Sequence, residues 1–443
     1  MTETDGPLVS VRNLELHYPV SEGLLRRETG RVRAVDGVSF DVRPGESFGL
    51  VGESGCGKSS TALAMLRMEE PTGGEVRFDG EDVLAYDDAE LRRFRRRVQL
   101  VLQDPDSAFN PRMTVGEAVG EPLRVHGLSD SERRREIVAD ALERVGLSGE
   151  DADDYPHEFS GGEKQRIAIA RALVLNPDVI VADEPVSALD GRTKAEVLDL
   201  LDGLQDRFGI AIVLISHDID LVRRFCDRVA VMYLGEIVER GPTETVVGDP
   251  SHPYTRTLVA SIPSLDPAIP AEDAGVDLLT DDLPDATDVP SGCRFHPRCP
   301  AIIPPESVDL PQDHWQGVVA FRFRLEREWD DIEELRASVL RELPPAERSD
   351  SDIDAAVRTA FDLPAELPDA NVEAALADAV DAIEDGNLDA ARRPLAETTT
   401  SVCERESPAV VDVETAHPVA CHRYDPSVPG DPETGIETRP SEE

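Results

Sequence analysis

A glycine-rich stretch near the front of the chain has the residue types needed to bind phosphate. The segment GESGCGKS, residues 52–59, matches the pattern G-x-x-x-x-G-K-[ST] and leads into the helical run STALAMLRM. Glycines let the backbone curl so that N–H groups point at phosphate, and the positive end of the next helix adds to the attraction. Lys58 would reach the β- and γ-phosphates of a nucleotide, and Ser59 would ligate Mg²⁺. The predicted phosphate loop consists of Gly52, Glu53, Ser54, Gly55, Cys56, Gly57, Lys58, Ser59 and Ser60.

Two adjacent carboxylates follow a second apolar run. The segment DVIVADEP, residues 178–185, predicts a buried strand that carries Asp183 to its carboxyl end, with Glu184 next. Asp183 would complete the Mg²⁺ shell, and Glu184 would orient and polarise an attacking water. Such a pair could also belong to an ordinary turn, but the phosphate loop in the same chain favours the catalytic interpretation.

These residues need a sheet that brings several strand ends together. From Leu8 to about Ile262, short β-branched runs alternate with helical periodicity, and several of the runs are almost wholly apolar, as strands buried on both faces must be. The pattern predicts an α/β fold with a mixed or parallel sheet wrapped by helices. Strand candidates are residues 47–52, 98–103, 178–183 and 210–216.

A third segment, FSGGEKQRIAIARAL at residues 159–173, resembles the signature sequence of ATP-binding cassette transporters. Other marks of that family occur along the chain in the family's order: Tyr18, Gln103, the SALD loop at 187–190, and His217 in ISHD. The resemblance implies a P-loop cassette with a RecA-like core, an antiparallel β subdomain and a helical subdomain. It also implies ATP hydrolysis with Mg²⁺, in which Glu184 and His217 are the catalytic residues.

The same resemblance implies that two cassettes enclose two ATP molecules, each site pairing one P-loop with the partner's signature. Ser160, Gly161 and Gly162 would then contact the partner's γ-phosphate at a helix N-terminus. Glu163 stands where the family usually has glutamine. A glutamate can still cap the N-terminus of the helix, but a contact that needs an amide group is not implied.

Three further roles are carried over from the family. Gln103 would contact Mg²⁺, together with Ser59 and Asp183, and would face the membrane subunits. His217 would contact the γ-phosphate. Tyr18 would stack on adenine, although an aromatic residue in a strand is more often part of a core.

Several longer segments resemble the second ATP-binding subunit of dipeptide and oligopeptide importers, among them QDPDSAFNPRMTVGEAVGEPLRVHG and HPYTRTLVASIP. Nickel importers share much of this pattern. The resemblance implies a subunit at the cytoplasmic face of the membrane with three kinds of partner: a sister cassette, two permeases contacted by residues 104–119, and an external solute-binding protein. A soluble cassette ATPase acting on ribosomes or DNA is disfavoured, since tandem cassettes and coiled-coil arms are missing from the sequence.

The charge of the chain is strongly acidic. It has 45 basic and 90 acidic residues, a net charge of −45, and residues 263–443 hold 42 of the acids. This balance argues against a nucleic-acid partner, which needs a basic surface. It is typical of a solvated halophile surface, on which carboxylates maintain solubility and salt screens their repulsion. The N-terminal MTETDGPLVS resembles no signal peptide, so we expect work in the cytoplasm.

Six cysteines in 443 residues are too few for a disulfide scaffold. Peptide-importer cassettes commonly end in a Cys-containing arm, and by that resemblance Cys293, Cys299, Cys403 and Cys421 would hold a [4Fe–4S] cluster. Structural Zn²⁺ and unligated thiols are the alternatives. Cys56 and Cys226 are expected to be packing residues.

The predicted domain boundaries follow from these motifs and from composition. The cassette would span 1–262, the linker and first half of the arm 263–303, and the second half of the arm with an acidic tail 401–443. Between them, an acidic insertion at 304–400 is predicted to contain two amphipathic helices, around residues 332–343 and 372–383.

Overall fold

The computed structural model of the chain describes residues 6–22, 27–104, 109–261, 284, 286–287, 289–329, 331–342, 353–414 and 416–428. Most of residues 263–288 in the predicted linker and first half of the arm (263–303), four residues of the segment 104–119, and the tail after residue 428 lie outside these ranges. None of the helices in the described ranges is long and apolar enough to cross a membrane.

Strands and helices alternate through the first part of the chain, and helices dominate its later part. The strands are β1 (Val9–Glu22), β2 (Arg27–Val42), β3 (Ser47–Val51), β4 (Gly73–Phe78), β5 (Glu81–Asp82), β6 (Val98–Val101), β7 (Val179–Asp183), β8 (Ala211–Ser216), β9 (Arg228–Tyr233), β10 (Glu236–Pro242), β11 (Val410–Glu414) and β12 (His417–Ala420). The helices are α1 (Lys58–Met65), α2 (Asp88–Arg97), α3 (Val115–Val125), α4 (Ser131–Arg144), α5 (Gly161–Leu173), α6 (Gly191–Phe208), α7 (Ile219–Phe225), α8 (Thr243–Gly248), α9 (Pro253–Ala260), α10 (Gln312–Arg327), α11 (Ile332–Glu342), α12 (Ile353–Ala360), α13 (Ala370–Glu384), α14 (Leu388–Thr399) and α15 (Val402–Arg405).

The central sheet has the strand order β11-β12-β10-β9-β3-β8-β7-β6. Strands β6, β7, β8, β3 and β9 run parallel. The apolar runs predicted for β3, β7 and β8 are buried on both faces, as parallel strands inside a sheet require. The predicted α/β fold is therefore confirmed, and the carboxyl ends of β3, β7 and β8 meet at one edge of the sheet.

Two smaller units accompany this sheet. An antiparallel sheet with the order β2-β1-β4-β5 packs beside it. Helices α3, α4 and α5 contact one another and share the apolar cluster under the central sheet. These units correspond to the antiparallel β subdomain and the helical subdomain that the sequence predicts.

The hairpin β11–β12 extends the central sheet, although it follows the insertion in sequence. Strand β12 pairs antiparallel with β10, and Glu239 lies opposite Val419. The Glu239 side chain is fully buried, and its Oε1 lies 2.7 Å from Nε2 of His417. The second half of the arm is thus joined to the cassette by main-chain pairing and by a buried polar contact.

The insertion, residues 304–400, contains five helices in its described residues, α10 to α14, where the sequence predicts two. The predicted faces on α11 and α13 are buried, apart from Ile332, which is half-buried, and Leu343, which lies outside the described residues. The insertion and the arm together form an apolar core that is separate from the two cores of the cassette. Its most buried members include Trp315, Phe321, Val357, Leu376 and Leu395.

Candidate active site

The P-loop, residues 52–59, connects β3 to α1 at the carboxyl edge of the sheet. Gly55 and Gly57 have φ angles of +84° and +104°, a region that glycine adopts without strain. A Cβ at Gly57 would lie 1.9 Å from the main-chain oxygen of Ala34, so a larger residue does not fit. The curled backbone therefore depends on the glycines that the sequence pattern singles out.

Lys58 is held inside this loop. Its side chain is buried, and Nζ donates to the carbonyl oxygens of Gly52 and Glu53, each at 2.8 Å. Cys56 is buried beside it, and burial raises the pKa of the Cys56 thiol. The cysteine thus packs as predicted, and the ammonium group is positioned at the phosphate-binding turn.

Asp183 ends β7 opposite the start of α1, where Ser59 bonds its carboxylate. Burial raises the pKa of Asp183; the Ser59 hydrogen bond lowers it, and neighbouring Glu184 raises it further. Its Oδ1 atom is buried without a hydrogen-bond partner among the described residues. A buried carboxylate oxygen beside a serine hydroxyl is the donor set that Mg²⁺ prefers, so these two residues fit the metal that accompanies ATP.

Glu184 lies at the centre of a polar triad. Gln103 Nε2 donates to Glu184 Oε2 at 2.9 Å, and His217 Nδ1 lies 3.0 Å from Glu184 Oε1. Glu184 has a φ of +45°, which is uncommon for a residue with a side chain and is a form of strain found at functional sites. The structure brings together three residues that are widely separated in sequence.

Lys58, Ser59 and the polar triad line one cleft with a volume of about 750 Å³. Asp183 is not among its lining residues, but it is bonded to Ser59, which is. The hydroxyl of Tyr18 donates to Glu69, and burial raises the pKa of Tyr18. The predicted site residues that line the cleft are Tyr18, Glu53, Ser54, Gly55, Gly57, Lys58, Ser59, Ser60, Gln103, Glu184 and His217.

The signature residues 160–163 are not among the described residues lining this cleft. They begin α5, where Ser160 is the N-cap and forms a capping box with Glu163. The Glu163 carboxylate accepts from Ser160 N at 2.8 Å and Oγ at 2.7 Å, and these hydrogen bonds lower its pKa. Glu163 thus has the capping role left open by the sequence. Gly162 is closely packed, since a Cβ there would lie 2.3 Å from a Thr193 methyl group.

The four cysteines of the arm lie near one another although 128 positions separate the most distant pair. Cys293 N donates to Cys403 O at 2.8 Å. Burial, and then the thiols of Cys403 and Cys421, raise the pKa of Cys293 well above its ordinary value. Burial also raises the pKa of Cys421, to about 12. All four are free cysteines.

Within the described residues, no group of three or more His, Cys, Asp or Glu side chains has the arrangement of a metal site. The donor set nevertheless fits one in kind. Two of the cysteines are buried and two are half-buried, and neighbouring thiols raise the pKa of Cys293, Cys299 and Cys421. A shared cation would favour the thiolate forms. Thiolates are the ligands that iron–sulfur clusters and structural zinc require.

Sequence reasoning missed two contacts of Glu53, one with Arg298 of the arm and one with Tyr254 in α9. Arg298 bonds the carboxylate of Glu53, and Tyr254 Oη accepts the Glu53 N–H at 2.9 Å. The arm sequence GCRFHPRCP contains the arginine, but nothing local to it indicates a partner 245 positions away.

Comparison with known proteins agrees with this arrangement. The sequence profile of the family described as "ABC transporter" matches residues 35–187. A second, "Oligopeptide/dipeptide transporter, C-terminal region", matches residues 238–304. A third, "Domain of unknown function (DUF8228)", matches residues 312–416, within which most of the insertion lies.

Relatives resemble the chain over most of its length. It is 47% identical over 312 residues to a peptide import ATP-binding protein of Brucella ovis, a match that covers 70% of this chain and 95% of that protein. It is 51% identical over 284 residues to the glutathione import ATP-binding protein GsiA of Escherichia coli, covering 64% of this chain and 45% of the relative. Among solved structures, cbiO1 from Clostridium perfringens, part of an ABC transporter complex, matches with 29% identity, 55% and 92% coverage, and a TM-score of 0.48. The chain belongs to the ATP-binding cassette family, in the group whose members carry the oligopeptide/dipeptide transporter C-terminal region.

Proposed function

We propose that the chain is the ATP-hydrolysing subunit of an importer and that it energises uptake of peptides from the cytoplasmic face of the membrane. The observation that carries the proposal is the convergence of Lys58, Ser59 and Glu184 on one cleft, where Ser59 also bonds the carboxylate of Asp183. The names of the relatives, peptide import and glutathione import, favour a peptide cargo. The cassette does not itself select the cargo, so the identity of the peptide is a property of its partners.

The cleft supports hydrolysis of ATP to ADP and phosphate. Lys58 would leave the carbonyl oxygens of Gly52 and Glu53 and pair with the β- and γ-phosphates. Ser59 and Asp183, with Gln103, would hold Mg²⁺, which neutralises the developing phosphate charge. Binding thus exchanges contacts within the loop for contacts with the nucleotide.

Glu184 and His217 would carry the chemical step. The Glu184 carboxylate would accept a hydrogen bond from the attacking water, orienting it as the bond to the leaving oxygen breaks. His217, bonded to that carboxylate, would turn its other ring nitrogen toward the γ-phosphate. Tyr18, at the rim of the cleft, would stack on adenine.

The position of the signature supports one of the proposed partners, a second cassette. Ser160, Gly161 and Gly162 begin a helix outside the described lining of this chain's own cleft, which supports contact with ATP bound by a second cassette. We propose a heterodimer with a sister cassette, two permeases that recruit the pair to the membrane, and an external solute-binding protein. Residues 104–119 would face the permeases.

Reconstitution tests this function. The full chain, its sister cassette and the permeases in vesicles should take up a labelled peptide in an ATP-dependent manner, and Glu184→Gln in both cassettes should abolish uptake while ATP still binds. An affinity pull-down from native membranes should recover permeases. Recovery of a ribosomal or DNA-repair complex without permeases would contradict the proposal.

For the arm, we propose that Cys293, Cys299, Cys403 and Cys421 hold a [4Fe–4S] cluster with a structural role. The proximity of four cysteines, two buried and two half-buried, supports it. Anaerobically purified protein should be brown, with broad absorption near about 400 nm that fades in Cys293→Ser. A colourless protein with stoichiometric zinc would assign the site to Zn²⁺, and one without metal would leave the thiols unligated.

A further inference from the structure

The arm contacts the P-loop directly through one buried arginine. Arg298 ends the 3₁₀ turn His296–Arg298, and its side chain is only 4% exposed. Its NH1 group donates to Glu53 Oε1 at 3.2 Å and Oε2 at 3.1 Å, and lies 3.3 Å from the hydroxyl of Tyr233. The guanidinium group is therefore paired with a carboxylate that belongs to the phosphate loop itself.

Glu53 is the second residue of that loop, and each of its polar groups is occupied. Its N–H donates to Tyr254 Oη at 2.9 Å, its carbonyl oxygen accepts from Lys58 Nζ at 2.8 Å, and its carboxylate binds Arg298. The residue that receives the arm thus also receives the lysine that would bind phosphate. A shift of Glu53 would move both the curled backbone and the resting position of Lys58.

Breaking the ion pair between Arg298 and Glu53 would be costly. Arg298 is buried, so losing the Glu53 carboxylate would leave an uncompensated charge in a poorly solvated place. Two of its guanidinium nitrogens, Nε and NH2, have no hydrogen-bond partner among the described residues. Glu53 is therefore its main counter-charge, and the loop is held by an ion pair that water screens weakly.

We propose that Arg298 is a positioning residue of the ATP site: through Glu53 it holds the P-loop in the form that accepts phosphate. The inference rests on the proposed ATP site and adds a residue from outside the cassette motifs. Arg298 would not touch the nucleotide, but its loss should loosen the P-loop. It should therefore weaken nucleotide binding and raise the KM for ATP. It should leave kcat nearly unchanged, since the contacts of Glu184 do not involve it.

Arg298 is also adjacent in sequence to the four-cysteine site. Cys299 follows Arg298 directly, and its thiol is close enough to Cys293, Cys403 and Cys421 that they raise its pKa beyond the effect of burial. The main chain makes the same connection on both sides of Arg298: Cys299 N donates to His296 O at 3.3 Å, and Cys293 N donates to Cys403 O at 2.8 Å. We therefore expect a change that loosens the thiol segment to weaken the hold on Arg298. By linkage, the state of the thiol site and the affinity for nucleotide should influence each other.

A general anchoring role makes a different prediction. Arg294, four positions earlier, pairs with Asp36 and Glu236 and fastens the arm to the cassette without touching the P-loop. If Arg298 were only another such anchor, its removal would lower stability but would leave the affinity for nucleotide in the folded fraction unchanged.

Titration of the full chain with Mg²⁺–ADP, which binds without hydrolysis, separates these possibilities. We expect Arg298→Met and Glu53→Gln each to raise the Kd about 10-fold, and the double variant to match the single ones, because residues of one interacting pair are not additive. Arg298→Lys, which keeps the charge, should stay within about 3-fold of the parent. Kd values of both single variants within about 2-fold of the parent, or a double variant with the product of both effects, would overturn the proposal.

Controls keep the outcomes distinct. Arg358→Ala breaks a comparable arginine–glutamate pair, with Glu373 in the insertion, and should leave the Kd unchanged. Lys58→Ala should weaken binding more than either single variant; if it leaves binding unchanged, the proposed ATP site fails rather than the role of Arg298. Cys299→Ser should weaken binding in the parent but not further in Arg298→Met. Additive effects of those two changes would show that the thiol site does not act through Arg298.

Discussion

The junction between cassette and arm contains a buried histidine whose ionisation should make the protein sensitive to acid. His252 is 1% exposed and caps α9, where its Nδ1 accepts the N–H of Tyr254 at 3.0 Å. Burial lowers the pKa of His252 from 6.5 to about 4, and the carboxylate of Glu239 opposes this shift only in part. We expect replacement by asparagine, which can keep the cap but cannot ionise, to remove this sensitivity.

The size of the effect follows from linkage. The folded pKa lies below the unfolded one, so the unfolded chain binds the extra proton between pH 6.5 and 4. The stability contributed by the neutral ring is therefore complete above pH 6.5 and is lost as the pH falls through about 4. Fully developed, the loss is about 3 kcal/mol, and at pH 5 it is about 2 kcal/mol.

Urea unfolding at pH 8 and pH 5 measures this loss. Between these values, His252→Asn should lose about 2 kcal/mol less unfolding free energy than the parent. His157→Asn, on an exposed turn, is the control for losing a histidine as such. A His252→Asn variant that loses as much stability as the parent over this range would refute the reasoning, because the buried ring would then not be the group that binds the proton.

Four other predictions follow from the site and from the charge. Glu184→Gln should slow ATP turnover by about 10²- to 10⁴-fold while nucleotide binding persists, measured as phosphate release from the reconstituted complex; near-normal turnover would place the base elsewhere. Lys58→Ala should instead weaken binding of ATP itself, measured by equilibrium titration, because it removes the phosphate contact. Replacing residues 304–400 by a short linker should leave ATPase activity within about an order of magnitude, and total loss in a folded protein would assign the insertion a role in hydrolysis. Raising KCl should raise the thermal midpoint, since salt screens a net charge of −45; a midpoint that falls with salt would contradict a salt-adapted surface.

The cassette could be predicted from sequence because its signals are local. The glycines of the P-loop predict a tight turn, and the apolar run of β7 predicts a buried strand. The order of the parallel strands then brings Lys58 and Asp183 together. The contact between Glu53 and Arg298 has no such signal, since it joins residues 245 positions apart and neither lies in a periodic pattern. A long-range ion pair is visible only once the fold is known.

The insertion was under-predicted for a different physical reason. Periodicity identifies helices that are buried on one face, and α11 and α13 are of this kind. Helix α10 buries Trp315, Phe321 and also the charged Arg322, so its sequence lacks a clean apolar stripe. Helix α14 contains Pro394, which as a rule indicates a break in a helix.

The ends of the insertion explain how so long a segment can interrupt the four cysteines. Ser401 Oγ donates to the carbonyl oxygen of Ile303 at 2.6 Å, so the chain leaves and re-enters the arm at nearly the same point. Cys293 N bonds Cys403 O at 2.8 Å just beyond that point. Because the entry and exit are fastened to each other, the thiols are held by short-range contacts, and the length of the loop adds only a slowly growing closure entropy. We therefore expect changes in the size and surface charge of the insertion to leave the position of Arg298 unaltered, as the prediction that the insertion is dispensable for hydrolysis requires.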